Sequence, residues 1–205
     1  KIKNFKKLNL TSPDIITLHK TLERIKKLKI ENVILEASSH GISQKRLNGL
    51  KFRIGIFTNF TQDHLDYHKT MRSYFNAKLI LFRKILKKNS RIILDKSINE
   101  FTILKNIANV RKLKIVEIGK IIKKIKNISL NTSSEFKIKN LAIAISAAKL
   151  SGLKNKRIFK CLKNIKDTNG RFELAKIFPN NIKVFIDYAH TPDALSKVLQ
   201  SLEIS

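Results

Sequence analysis

Three short apolar runs in this chain each stop on a carboxylate. Val33–Leu35 runs into Glu36, Arg91–Leu94 into Asp95, and Lys183–Ile186 into Asp187. Two further β-rich runs, Lys51–Phe57 and Lys114–Ile118, have similar length. Runs this short, separated by segments with apolar residues at helical spacing, predict strands alternating with helices. That alternation predicts an α/β fold with a largely parallel sheet and flanking helices. In open sheets of this kind ligands bind at the carboxyl edge of the strands. The strand-end acids therefore mark where chemistry is expected.

The helical segments have their own signals. Ser12-Pro13-Asp14 reads as a helix start, with Ser12 as cap, followed by Ile15, Leu18, Leu22 and Ile25 on one face. Thr70 is expected to cap a helix carrying Met71, Tyr74, Phe75, Leu79, Phe82 and Ile85. Weaker periodicity predicts a helix over Ile98–Val110. Stronger signals cover Ile138–Leu150, closed by Gly152, and a segment capped by Asn155 that runs through Ile158, Cys161, Leu162 and Ile165. Residues 119–135 read equally as helix or as a shortened β-excursion. Asn169-Gly170-Arg171 is a turn, and Thr191-Pro192-Asp193 starts a last helix.

Composition bounds the class. The chain has 205 residues, of which 42% are hydrophobic, which predicts a globular protein with one core, or one domain and part of another. No apolar run is long enough to span a membrane, and no signal peptide is visible. A single cysteine, Cys161, leaves no internal disulfide and fits a reducing compartment; its apolar helical context predicts a buried, inert thiol. The formal charge of +28 points towards nucleic acid. Against that, lysine far outnumbers arginine and is spread along the chain. Lys, Ile and Asn are over-used together, as an A/T-rich coding sequence would produce. Nucleic acid is not the expected partner.

The densest polar chemistry lies between Val33 and Leu86. Glu36 at a strand end could hold a hard cation or cap a neighbouring helix. The run Asp63-His64-Leu65-Asp66-Tyr67-His68 brings four metal-capable side chains into six positions. On a helix, His64 and His68 would share a face, an arrangement that suits zinc. In a turn the same residues would bond locally. Lys78 falls on the apolar stripe of its helix, so it must snorkel, pair or lose its charge, or be chemically modified. Two further polar knots follow, Gly170-Arg171-Phe172-Glu173 and Asp187-Tyr188-Ala189-His190-Thr191-Pro192-Asp193. Arg171 suits a phosphate, and Asp187 a ribose hydroxyl.

Taken in order, LEASSHGISQKRL, FTNFTQDHLDYHKTMRSYFNAKLILF, GRFE and IDYAHTPDAL resemble the signatures of the Mur ligases of peptidoglycan synthesis. The likeness is greatest to the MurE type, which joins a diamino acid to UDP-N-acetylmuramoyl-L-alanyl-D-glutamate. The resemblance covers most of the chain. It implies the family's central P-loop-type ATP-binding domain over residues 1–174 and the start of a Rossmann-like C-terminal domain over 175–205.

The resemblance also implies roles. Thr11, Ser12, Ser38, Gln44 and Arg46 would contact the UDP-muramoyl-dipeptide. Glu36 and His64 would be ligands of Mg²⁺, joined by Lys78 in carbamylated form. Asn140 would contact adenine, Arg171 the nucleotide and Asp187 the ribose, with Tyr188 and His190 in the same nucleotide-side motif. ATP and Mg²⁺ are the implied cofactors. A cytoplasmic monomer without nucleic-acid or membrane partners is expected. Asp63, Asp66 and His68 are expected to be structural support.

This sequence departs from the family pattern in three respects. The six glycines form no G-x-x-x-x-G-K-[ST] loop before Thr11. The stretch SSEFKIKN, ending at Asn140, stands where the family usually has a glycine and a second asparagine. The uridine-binding domain and the motif that selects the diamino acid are not among these 205 residues. An internal portion of a ligase, inactive alone, is the expectation. Alternatives are another Mur ligase, a folylpolyglutamate synthetase-like ligase, or a basic nucleic-acid-binding module.

Overall fold

The computed structural model describes residues 10–126, 134–162, 165 and 168–203. It divides into two compact units. One holds the chain through Gly55, His64–Ile92 and Asn99–Ile115; the other holds Ile56–Asp63, Ile93–Ile98 and the chain from Val116.

The main sheet has three strands in the order β1 (Phe52–Ile56), β2 (Leu86–Leu94) and β3 (Lys114–Glu117). Its strands are parallel, with helices as the crossovers, as the alternation predicted. β2 is the central strand and forms the floor of the core: Leu86, Ile92, Ile93 and Leu94 have no exposed surface. Gly55 in β1 allows this packing. A Cβ there would lie 2.8 Å from Leu86 Cδ1 and 3.1 Å from Phe82 Cε1.

In the first unit, α1 (Ile15–Lys27) is capped by Asp14, which accepts a 2.9 Å hydrogen bond from the Thr17 amide. Ser12 is therefore not the cap expected from the sequence; it is fully buried and bonds elsewhere. Leu18 of α1 packs with Ile42 and Leu47, and Leu22, Leu35, Ala37, Leu50 and Phe52 close around them.

The predicted strand at Val33–Leu35 does not join a ladder among the described residues. It carries no regular secondary structure, with Leu35 packed against the core and Ile34 90% exposed. Beside it an apolar cavity of about 210 Å³ is lined by Leu18, Leu22, Val33, Leu35, Leu50 and Phe52. A strand needs an edge to pair with as well as an apolar pattern.

Short helices follow: α2 (Ser39–Ser43), α3 (Leu65–His68) and α4 (Met71–Ile80), the last capped by Thr70, whose hydroxyl accepts from the Ser73 amide at 3.1 Å. The predicted helix through Ile85 changes character before its end. Leu81–Ile85 is a π-helical turn that passes directly into β2. The widened turn re-phases the apolar stripe, so Phe82 is buried while Arg83 and Lys84 are exposed. Then α5 (Phe101–Arg111) buries Leu104, Ile107 and Ala108.

In the second unit, residues 119–126 resolve the sequence ambiguity as α6 (Gly119–Lys126), seated through Ile125. The rest of the suggested β-excursion, including Ile128, falls outside the described residues. α7 (Glu135–Leu150) buries Ile138, Ala142, Ile143 and Ile145; α8 (Asn155–Leu162) buries Ile158 and Leu162. Cys161 is exposed, contrary to expectation, because α8 seats only the face that carries those two residues. β4 (Glu173–Ile177) and β5 (Lys183–Ile186) form an antiparallel pair, followed by α9 (Pro192–Glu203). β4 was not legible as a strand: ELAKI leaves four of its five residues exposed and has no apolar alternation.

Candidate functional site

Several side chains expected to meet the substrate converge on α2. Ser38 caps this helix by accepting from the Gly41 amide at 3.1 Å. The Ser12 hydroxyl donates to the Glu36 carbonyl at 2.9 Å, accepts from the Ser38 amide at 3.0 Å, and lies 3.1 Å from Ser38 Oγ. Arg46 donates to the Ser12 carbonyl at 2.8 Å and makes a close hydrogen bond to Gln44. Four of the five expected contacts, Ser12, Ser38, Gln44 and Arg46, are thus one connected network, and Glu36 is tied to it through its backbone.

Exposure separates their capacities. Thr11, Gln44 and the Glu36 side chain are exposed, whereas Ser12 has no surface at all. Ser12 holds the loop from inside. Gly41 makes the burial fit: a Cβ there would stand 2.6 Å from Ser12 Cβ.

A cluster of rings adjoins this network. The His68 and Ser39 side chains share a buried hydrogen bond, Nε2 to Oγ, of 2.9 Å. The His68 ring stacks on Tyr74 at 5.2 Å. His64 meets the same tyrosine edge-on at 5.6 Å, and Lys78 Nζ lies 4.9 Å from its ring centroid. His40 packs 4.9 Å from the His64 ring and 4.2 Å from Tyr67. Burial, with the positive fields of His40, His64 and Lys78, holds the His68 imidazole below its ordinary pKa; Asp66 opposes this.

Lys78 is half-buried and rests against an aromatic face, so the anomaly read from its stripe is real. The zinc arrangement of His64 and His68 is not formed. His64 precedes α3 in the left-handed region at φ 55°, and His68 is committed to Ser39. Among the described residues no group of three or more His, Cys, Asp or Glu side chains assembles for a metal ion. A metal ion held by Glu36 and His64, as the resemblance implies, would need a donor of another kind, and an ammonium donates nothing to a cation. With a carboxyl group on its Nζ, Lys78 would supply that oxygen. On this donor chemistry Glu36, His64 and Lys78 fit Mg²⁺ only when Lys78 is modified.

The expected nucleotide residues lie in the second unit. The Arg171 guanidinium stacks over the Tyr188 ring at 4.6 Å. Asp187 accepts 2.6 Å hydrogen bonds from the Phe172 and Ala189 amides, one on each oxygen, which fixes the carboxylate at the end of β5. His190 is held by the Tyr188 carbonyl at 2.9 Å and lies 3.8 Å from the Asp63 carboxylate. Asn140 is exposed on α7, beside Lys139.

Lys139 pairs with buried Asp95 at 3.2 Å and with Glu135 at 3.0 Å. Burial pushes the Asp95 carboxyl up, but hydrogen bonds from Ser97 and Lys139 outweigh it and hold it below the usual carboxylate range. Burial likewise lowers Lys139, and its two acidic partners outweigh that and raise it.

The Mur ligase middle-domain model matches residues 1–155. The chain belongs to the Mur ligase family. It is 35% identical over 95% of its length to the UDP-N-acetylmuramoyl-L-alanyl-D-glutamate–2,6-diaminopimelate ligase of Rickettsia bellii (strain RML369-C), and covers 44% of that protein. It is 36% identical over 93% of its length to the ligase of that name in Clostridium botulinum (strain ATCC 19397 / Type A), covering 43%. A solved ligase structure of the same description aligns at TM-score 0.68 and 25% identity over 93% of this chain and 44% of that one. MurF from Acinetobacter baumannii shares the fold alone, at TM-score 0.61 and 15% identity. The chain therefore spans under half the length of these Mur ligases.

Sequence reasoning put His68 among structural supports and gave no site role to Ser39, Tyr74 or His40, which the structure brings against it. The signal for Ser39 was its place beside Ser38. That for Tyr74 was its spacing one helical turn before Lys78.

Proposed function

We propose that this chain is the central ATP-binding domain (1–174) and the beginning of the C-terminal domain (175–205) of a ligase that builds the peptidoglycan precursor. The reaction adds a diamino acid to UDP-N-acetylmuramoyl-L-alanyl-D-glutamate. ATP phosphorylates the D-glutamyl carboxylate, giving an acyl phosphate and ADP; the incoming amine attacks the acyl carbon, and phosphate leaves. The observation that carries this reading is the connected Ser12–Ser38–Arg46–Gln44 network next to a half-buried lysine.

In this reading Thr11, Ser38, Gln44 and Arg46 bind the UDP-sugar dipeptide, and Ser12 orients Ser38 and the Glu36 backbone for them. Arg46, always cationic, suits an anionic group of that substrate. Glu36, His64 and carbamylated Lys78 would hold Mg²⁺, which offsets the repulsion between the glutamyl carboxylate and the γ-phosphate. The Tyr74 ring, with Lys78 Nζ 4.9 Å from its centroid, holds the lysine side chain in place. Asn140, Arg171, Asp187, Tyr188 and His190 bind ATP: Asp187, fixed by two amides, takes ribose hydroxyls, and Arg171 is pre-oriented on Tyr188. The protein works as a cytoplasmic monomer. Among the described residues no helix is long and apolar enough to cross a membrane.

The test is calorimetric titration of the chain with UDP-N-acetylmuramoyl-L-alanyl-D-glutamate, with duplex DNA at moderate salt as the comparison. Binding is expected in the wild type and lost in Arg46→Ala. ¹³C-bicarbonate should give a carbamate carbon signal that Lys78→Ala removes. Salt-sensitive DNA affinity without substrate binding would overturn the reading. The chain alone is expected not to ligate; turnover above a Lys78→Ala control would refute that.

A further inference from the structure

The His68–Ser39 hydrogen bond carries none of the roles assigned above, yet it joins the two halves of the ring-and-hydroxyl cluster. His68 is 8% exposed. Its Nε2 is 2.9 Å from Ser39 Oγ. Its ring lies on Tyr74 at 5.2 Å, with 29° between the planes. Ser39 opens α2 directly after Ser38, the cap of that helix. Tyr74 is the ring that Lys78 and His64 both touch. One imidazole thus contacts α2 by hydrogen bond and α4 by stacking.

We propose that His68 is a positioning residue for the ligase reaction: it fixes the substrate-facing start of α2 relative to the Tyr74–Lys78 face of α4. This deepens the function proposed above and rests on it. The two contacts constrain different freedoms. The stack fixes the plane of the ring, and the hydrogen bond fixes its rotation within that plane. Both partners are themselves buried, Ser39 at 3% exposure and Tyr74 at 5%, so neither can move to solvent and leave the other behind. A phenylalanine would keep the stack and lose the bond. A glutamine places its terminal amide near the position of Nε2 and keeps the bond. Ser39→Ala, which removes the hydroxyl that meets His68, provides the reciprocal change.

The experiment titrates UDP-N-acetylmuramoyl-L-alanyl-D-glutamate into the full 205-residue chain and into His68→Phe, Ser39→Ala, the double variant and His68→Gln. His68→Phe and Ser39→Ala should each weaken binding about tenfold, as removal of outer-shell partners does elsewhere. The double variant should be no weaker than either single one, because both remove the same bond. His68→Gln should restore most of the affinity, which a purely space-filling role would not. Should His68→Phe fail to fold, Ser39→Ala and His68→Gln decide alone, the first by losing affinity and the second by keeping it. Undiminished binding in Ser39→Ala, additive losses in the double variant, or a folded His68→Gln that binds no better than His68→Phe would overturn the inference. A wild-type chain that binds no substrate would overturn the proposed function, and the inference with it. Wild-type binding that is indifferent to His68 and Ser39 would overturn the inference alone.

Discussion

Replacing Gly41 with alanine sets two effects of opposite sign against each other. Alanine in a helix is ordinarily the better residue, by about 0.5–1 kcal/mol. Gly41 lies inside α2 and has no positive φ to protect, so that gain is available in principle. The added methyl would stand 2.6 Å from Ser12 Cβ, 2.8 Å from Ser12 Oγ and 3.1 Å from Ser38 Oγ. Neither serine can yield cheaply. Ser12 is fully buried and its hydroxyl is engaged with Glu36 and Ser38. Gly41 is pinned as well, since its carbonyl accepts from the Arg46 amide at 2.8 Å.

Overpacking of this kind costs about 1–3 kcal/mol. Displacing the Ser12 hydroxyl from one partner costs about 1 kcal/mol more. Set against the helix gain, the net is a loss of roughly 2 kcal/mol. Urea denaturation should show this as a lower midpoint with an unchanged slope. Ser12→Gly in the same chain removes the atoms the methyl strikes, so Gly41→Ala should cost much less in that background than in the wild type. Equal or higher stability for Gly41→Ala alone would refute the packing argument. So would an equal cost in both backgrounds, which would place the strain elsewhere than Ser12.

Three further outcomes follow from the same geometry. Gly55→Ala puts a methyl 2.8 Å from fully buried Leu86, and should lower stability by about 1–3 kcal/mol in the same denaturation assay. Thr70→Ala removes the cap of α4 and should cost about 1 kcal/mol, with Thr70→Ser retaining most of it. The Asp95–Lys139 pair should shape the pH profile. Asp95 is lowered in the fold, so its contribution is present above the ordinary carboxylate range and is lost as pH falls below about 4. Lys139 is raised, so its contribution is complete below its unfolded value and is lost only as pH rises past about 10.5. The wild-type minus Asp95→Asn stability difference should therefore be flat near neutrality and shrink on the acid side.

The alternation of apolar runs and helical periodicity was enough to read an α/β fold with a parallel sheet and flanking helices, because each element buries its own stripe. What escaped depended on neighbours. Val33–Leu35 has the composition of a strand, but among the described residues it joins no ladder. The helix from Met71 has its stripe through Ile85, yet its last turn widens because Leu86 must already begin β2. β4 is mostly exposed and could be read only through its pairing with β5.

The polar residues divide along another line. The resemblance to the Mur ligases picked out Ser38, Gln44 and Arg46, and the apolar stripe picked out Lys78; the structure gathers the first three around Ser12, with the ring cluster that carries Lys78 alongside. Spacing cannot say which hydroxyl faces a ligand and which faces the protein. Thr11 and Ser12 are adjacent and chemically alike, yet one is exposed and the other has no surface. Gly41, twenty-nine residues after Ser12, leaves the space that the inward-turned Ser12 side chain occupies. Lys78 follows the same logic. Its stripe position predicted a burial conflict, but only the Tyr74 ring beneath it shows how the side chain is held where a change of charge would alter what it can bind. In each case the chemistry of a polar residue was legible, while its direction was set by one packing partner far away in sequence or one turn away on the helix.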